Sequence, residues 1–270
     1  QSGLRDILNS ATRGGVSAGV ALAGAMLSSS DNNKAYGVKF SGDWSGEVNV
    51  YDIDPLTAVV TPSSEWGLDA QSQPKGAQAK LDELGASSSG QGWDVARNIV
   101  TMSSGVGVPF RWANLSAAQK TALGSENVRK YLRGDKTNEG VAAGKFRERS
   151  HLLGDIVDSG VSVVAKPRAR FVDSYNPGYS AFKAANAGRA KMLYVGANDG
   201  MLHAFDAATG IEKWAYIPSM LIKSGSDGLA ALSYLDGGVP QFSHHFYVNQ
   251  TPTVEDVDFA KGTETILYLK

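Results

Sequence analysis

The residues able to do chemistry are few and scattered. Four histidines are present, His151, His203, His244 and His245, and there is no cysteine. Thiol nucleophiles, thiolate metal sites and disulfides are therefore excluded. A histidine metal site or general base needs carboxylates or further histidines converging on it. In an extended strand the adjacent His244 and His245 point to opposite faces, so they do not share an ion. Structural or surface roles are expected for all four. Asp256 and Asp258 fall on one face of the stretch 253–258 and offer oxygens of the kind calcium takes. Calcium wants about six to eight oxygens, however, and two carboxylates without a glycine-bearing loop are too few. Asp155 and Asp158 read as turn-capping residues, not as a catalytic pair. No catalytic, cofactor-binding or metal residue is assigned.

Arg133-Gly134-Asp135 spells the tripeptide that integrins recognise, which makes it a candidate adhesion motif. Its plainer reading has Arg133 meeting the carbonyls of a preceding helix, Gly134 stopping that helix in the left-handed region, and Asp135 opening the next turn. The five tryptophans, Trp44, Trp66, Trp93, Trp112 and Trp214, offer a carbohydrate-stacking surface in principle. Trp214, on a central strand, is expected instead as a buried wedge between sheets.

Charge narrows the partners. Against 26 basic residues stand 27 acidic ones, so no global field draws the chain to nucleic acid or an anionic bilayer. The densest basic cluster, Lys145, Arg147 and Arg149, is short and reads as a solvated face. The longest apolar run, Val16 to Leu27, has 12 residues against the roughly 20 that span a bilayer. It is neither a transmembrane helix nor, by its position, a signal peptide.

The elements that must carry these residues are mostly strands. Residues 1–35, rich in Ser, Ala and Gly, read as a small-residue helix and linker. Tyr36 to Phe40 and Glu47 to Ile53 alternate around a glycine-bearing turn and predict a hairpin. Between about 75 and 135 a helical insertion is expected, with short strands at Arg97 to Thr101 and Val108 to Trp112. Ser116 and Gln119 have capping-box spacing.

Met192 to Ile217 is the most informative stretch, predicting three strands, a tight turn at Asn198-Asp199-Gly200, and a second turn capped by Asp206 before Thr209-Gly210. Both faces of this small sheet are largely apolar, so it must be sandwiched. Gly46 to Asp52 and Gly200 to Asp206 share the pattern G-x-[VL]-x-[VA]-[YF]-D, 154 residues apart, and Ile266 to Leu269 parallels Met192 to Val195. Together with Gly210 and Trp214, these positions suggest a repeating blade. The fold expected is mainly β, a partial β-propeller of antiparallel blades over 36–270 with helical insertions, because a closed ring needs about four to eight blades.

The assembled motifs resemble the propeller domain of the PilC/PilY family of type IV pilus tip adhesins and biogenesis proteins. The resemblance rests on Arg149-Ser150-His151-Leu152-Leu153-Gly154-Asp155-Ile156-Val157-Asp158-Ser159, on Tyr194 to Asp206, on Trp214 to Ser219, and on His245-Phe246-Tyr247-Val248. Trp44-Ser45-Gly46, Arg97 to Thr101 and Leu132 to Asp135 fall in the same order. It implies a non-enzymatic protein at the cell surface or pilus tip. Such a protein supports pilus assembly, the balance of extension and retraction, and adhesion, with minor pilins, tip subunits or host receptors as partners. The family's calcium loop and von Willebrand-like domain are not found here, so no cofactor is expected. One alternative is a pyrroloquinoline-quinone-type propeller enzyme, whose blade motif is similar to the stretch from Asp199-Gly200 to Trp214. Catalysis there would need a quinone pocket, calcium and a base. A second alternative is a propeller scaffold for envelope assembly, bound through loops and edge strands.

Overall fold

A computed structural model describes residues 16–22 and 33–257. The third repeat start at Ile266 to Leu269, and Asp258, lie outside the described residues. Two sheets are present among those described. The first is a four-stranded antiparallel meander of β1 (Val16–Leu22), β2 (Lys34–Phe40), β3 (Gly46–Ile53) and β4 (Val60–Pro62), in that order. Val16–Leu22 is therefore a strand paired with β2, not part of a helix.

The second sheet contains another sequential antiparallel meander, β7 (Ser162–Val164), β8 (Met192–Ala197), β9 (Met201–Asp206) and β10 (Glu212–Ile217). The hairpin of β5 (Ile99–Ser103) and β6 (Val106–Pro109) extends it, with β5 lying parallel to β10. The resulting six-stranded order is β6-β5-β10-β9-β8-β7. This parallel addition joins segments more than a hundred residues apart and leaves no local signature in the sequence.

The two meanders match bond for bond at one turn. After β9, the Asp206 carboxylate accepts the amides of Ala208 and Thr209, the Thr209 hydroxyl accepts Ile211 N–H, and Gly210 N–H donates to the Asp206 carbonyl. After β3, Asp54 accepts Leu56 and Thr57, Thr57 accepts Val59, and Ala58 donates to Asp54. The counterpart of Asp206 is thus Asp54. Asp52, which the shared pattern suggested, instead pairs with Lys34 across the β2–β3 ladder. The pattern tracked strand alternation, and the repeat of two-residue period let it slip by one pleat.

Inner faces of the two sheets pack together. Tyr36, Val38, Val48 and Val50 meet Leu193, Val195, Ala197 and Phe205, with Trp66 and Leu153 closing the layer. The rest of that face of the second sheet, including Ile99, Ala215 and Ile217, is covered by α3 (Ala117–Leu123), α4 (Glu126–Arg133) and the 3-10 turn Leu229–Ser233. Ser116 and Gln119 do form a reciprocal cap on α3. The helix α1 (Ala77–Gly90) and the single turn α2 (Gly92–Val95) lie at the junction. A further helix, α5 (Tyr179–Ala185), lies in the long β7–β8 connection.

The opposite face of the second sheet is only half covered. Tyr194, Leu202, Trp214 and Tyr216 share it and are all of intermediate exposure. Among the described residues Trp214 therefore rests against Tyr194, with ring centroids 5.7 Å apart, and is not the wedge between these two sheets. That position belongs to Trp66, 2% exposed, which lies over Gly210 and donates its indole N–H to the Ala207 carbonyl at 3.0 Å.

Candidate functional site

Three of the motif segments meet at one cleft. Gly46 N–H donates to the Leu153 carbonyl at 3.0 Å, Ser45 bridges Gly154, and Gly154 N–H donates to the Asp199 carboxylate at 3.1 Å. These backbones approach so closely that a β-carbon on Gly46 would overlap the Gly154 carbonyl, and one on Gly154 would overlap the Asp199 amide. Glycine is required at both positions by sterics alone. Trp44-Ser45-Gly46, Leu153-Gly154-Asp155 and Asn198-Asp199 are thereby pinned side by side.

The cleft they form is shallow and lined also by Tyr131, Leu132, Leu232 and Phe242. One wall carries Trp44, 38% exposed, with its ring stacked on His244 at 3.9 Å. The lining also includes Arg147, which lies over the Phe242 ring at 4.1 Å, and Arg149, over Tyr131 at 3.7 Å. Arg149 is also paired with Glu139 at 2.6 Å and is largely buried. The basic cluster read as a solvated face is therefore built into a wall, because aromatic rings and main-chain carbonyls take its charge. Lys145 alone of the three is exposed.

On the floor, Asp155 is buried and accepts Asn198 Nδ2 at 2.7 Å, with His244 Nε2 at 2.8 Å. Burial would raise the Asp43 carboxyl, but hydrogen bonds from Ser150 and Ser45 hold it below the usual range. His151 is raised by its bond to Asp82. The segment holding His244 and His245 is not a strand, so the opposite-face argument does not apply there. The two histidines nonetheless have separate environments, His244 on Asp155 and His245 beside Tyr247.

Behind the floor runs a chain of buried charges. Arg97 pairs with Glu212 through two bonds of 2.8 Å, and their side chains are 1% and 0% exposed. His203 bridges Glu212 at 2.8 Å and Asp199 at 3.0 Å. Burial pulls the His203 imidazolium down, yet Asp199 and Glu212 together push it up to about 9. Burial would raise Glu212, but Arg97 and His203 draw it down to about 2. The His203 imidazolium, the Arg97 guanidinium and the Glu212 carboxylate are thus held charged, each desolvated group compensated by an opposite one. Such a closed network positions Asp199 at the cleft.

The remaining sequence candidates lie elsewhere. Arg133 is 1% exposed, and its guanidinium donates to the carbonyls of Phe110, Asp94 and Arg97. Gly134 caps α4 at φ 119°, and the buried Asp135 accepts Thr137 N–H. The adhesion reading of Arg133-Gly134-Asp135 is therefore corrected, since a receptor cannot reach a tripeptide folded into a helix terminus. Asp256 pairs with Tyr179 and Arg189, and Asp158 with Asn249. Among the described residues no group of three His, Asp or Glu side chains gathers to hold a metal. No helix among them is long and apolar enough to cross a membrane.

Residues 153–269 match the family described as the PilY1 beta-propeller domain. The chain is 33% identical over 235 residues to a type IV pilus biogenesis factor PilY1 homolog of Xylella fastidiosa, covering 84% of this chain and 16% of that protein. It is 31% identical over 253 residues to type IV pilus biogenesis factor PilY1 of Pseudomonas aeruginosa strain PAK, covering 86% and 20%. A second X. fastidiosa homolog is 30% identical over 279 residues, at 91% and 18%. The chain spans about a fifth or less of the length of these curated relatives. No solved structure matches it.

Proposed function

We infer that this chain, which belongs to the PilY1 family of type IV pilus biogenesis factors, acts in pilus biogenesis by binding other proteins and not by catalysis. The observation that supports this most is the cleft, where Trp44-Ser45-Gly46, Leu153-Gly154-Asp155 and Asn198-Asp199 converge on an exposed aromatic ring beside Arg147. Such a site, with a rigid floor and an amphipathic rim, suits a loop of a partner subunit. The partner proposed is a minor pilin or pilus tip subunit, at the cell surface or tip. Assembly, extension–retraction balance and adhesion are then consequences of that contact, and the chain needs no cofactor of its own for it.

The two matched meanders favour a partial propeller of antiparallel blades. In that reading the half-covered face bearing Tyr194, Trp214 and Tyr216 packs on a further blade of a longer protein.

Cell extracts test the binding role. The chain is expected to retain minor pilins, and Trp44→Ala with Arg147→Ala to lose them while melting within a few degrees of the parent. Retention of outer-membrane assembly factors in place of pilins would favour the envelope scaffold.

A further inference from the structure

Away from the cleft, the interior holds more guanidinium than carboxylate. Arg129 and Arg133 lie four residues apart on α4, so their side chains reach the same region; they are 4% and 1% exposed. Arg111, just before the 3-10 turn Trp112–Asn114, reaches it as well. All three converge on one oxygen of Asp94: Arg111 is hydrogen-bonded to it, Arg133 Nε lies at 3.4 Å and Arg129 Nη1 at 3.7 Å. Glu126, from a half-exposed position, takes only Arg129 Nη2, at 3.2 Å.

This leaves donors over. Arg129 Nε and Nη1 and Arg133 Nε are buried and meet no hydrogen-bond acceptor among the described residues. Buried charged donors are among the costliest groups to leave unpaired, and folded proteins normally supply water or an ion where they occur. The electrostatics agree with the geometry. Burial, then the neighbouring Arg111 and Arg97, push the Arg133 guanidinium down to about 9 despite Asp94, so the site lacks negative charge.

We propose that Arg111, Arg129 and Arg133, around Asp94, form an oxyanion-binding site for a carboxylate or a sulfate- or phosphate-type anion. Guanidinium forks match both geometries through paired N–H donors. Arg111 and Asp94, the partly exposed members, form its mouth, and Arg129 and Arg133 form its base.

The test uses the full chain, titrated with sodium sulfate, sodium phosphate or sodium acetate at ionic strength held constant with chloride. Thermal midpoint and calorimetric heat are followed. At least one anion is expected to bind saturably and raise the midpoint, and Arg111→Gln to weaken it about tenfold or more. Asp94→Asn, which removes the competing carboxylate, is expected to melt lower in chloride and recover in the binding anion. A response to sulfate or phosphate identifies a free inorganic anion as the ligand, and a response to acetate alone identifies a carboxylate. A midpoint that climbs linearly with salt, equally in Arg111→Gln, would reflect general exclusion of the anion from protein surface and would overturn the proposal, as would silence in all three arms.

Discussion

Replacing Glu212 by glutamine is expected to destabilise the chain by about 3–5 kcal/mol, because it strands the buried Arg97 and His203 charges without their shared counterion. That is a large fraction of the roughly 5–15 kcal/mol by which a folded domain usually survives. Urea unfolding should show the midpoint falling, with little change in slope. Lys213→Gln, one residue away on the exposed side of β10, should move it by no more than about 0.5 kcal/mol.

The same network sets a pH dependence. The folded pKa of His203 lies at about 9, above its ordinary 6.5. Its contribution is therefore complete below about 6.5 and is lost as pH rises through 9. Glu212 is displaced the other way, from 4.5 to about 2, so its contribution is complete above about 4.5 and is lost as pH falls through 2. Stability from these two groups should be greatest between 4.5 and 6.5. Glu212→Gln should flatten both limbs. A variant that melts like the parent at every pH would show that the charges are solvated in solution.

Trp66→Ala is the second large effect, expected to cost about 3–5 kcal/mol through the cavity left between the sheets and through the Ala207 carbonyl left without its indole donor. Trp214→Ala should cost much less, about 1 kcal/mol, since its ring is only half covered. Thermal unfolding of the two variants side by side decides between them. Equal losses would mean that the half-covered face is buried in solution and that Trp214 is the wedge after all.

That pair of tryptophans shows what was readable beforehand. Trp214 sits in an alternating apolar strand, and such a pattern announces a sheet but not which of its faces is covered. Trp66 sits in Ser63-Ser64-Glu65-Trp66-Gly67, which has no period, and only packing against a turn 140 residues later gives it a role. Local signals were legible where the bonds are local: the β2–β3 hairpin, the Ser116–Gln119 cap and the β8–β10 meander. The repeat was visible too, but alternation of period two let Asp52 stand in for Asp54 until the turn hydrogen bonds distinguished them.

For the candidate site, the motif segments were legible and their meeting was not. Gly46 reads as a turn glycine of the repeat, and Gly154 only as one letter of a motif. Only the crossing of their backbones shows why no side chain fits there. Arg97, His203 and Glu212 span more than a hundred residues, and no spacing rule connects them. Arg147 and Arg149 looked solvated because the sequence does not reveal that Tyr131 and Phe242 lie beneath them. The integrin tripeptide was legible only as letters, and the helix end that buries it gives the letters another meaning.

A pilus subunit seated beside Trp44, as proposed, would lie within bonding reach of that position. A photo-reactive phenylalanine analogue placed at position 44 and irradiated in piliated cells tests this most directly. The account predicts a covalent adduct with a minor pilin or tip subunit, and none from the same analogue at the exposed position Lys213. Adducts from 213 but not from 44 would contradict it.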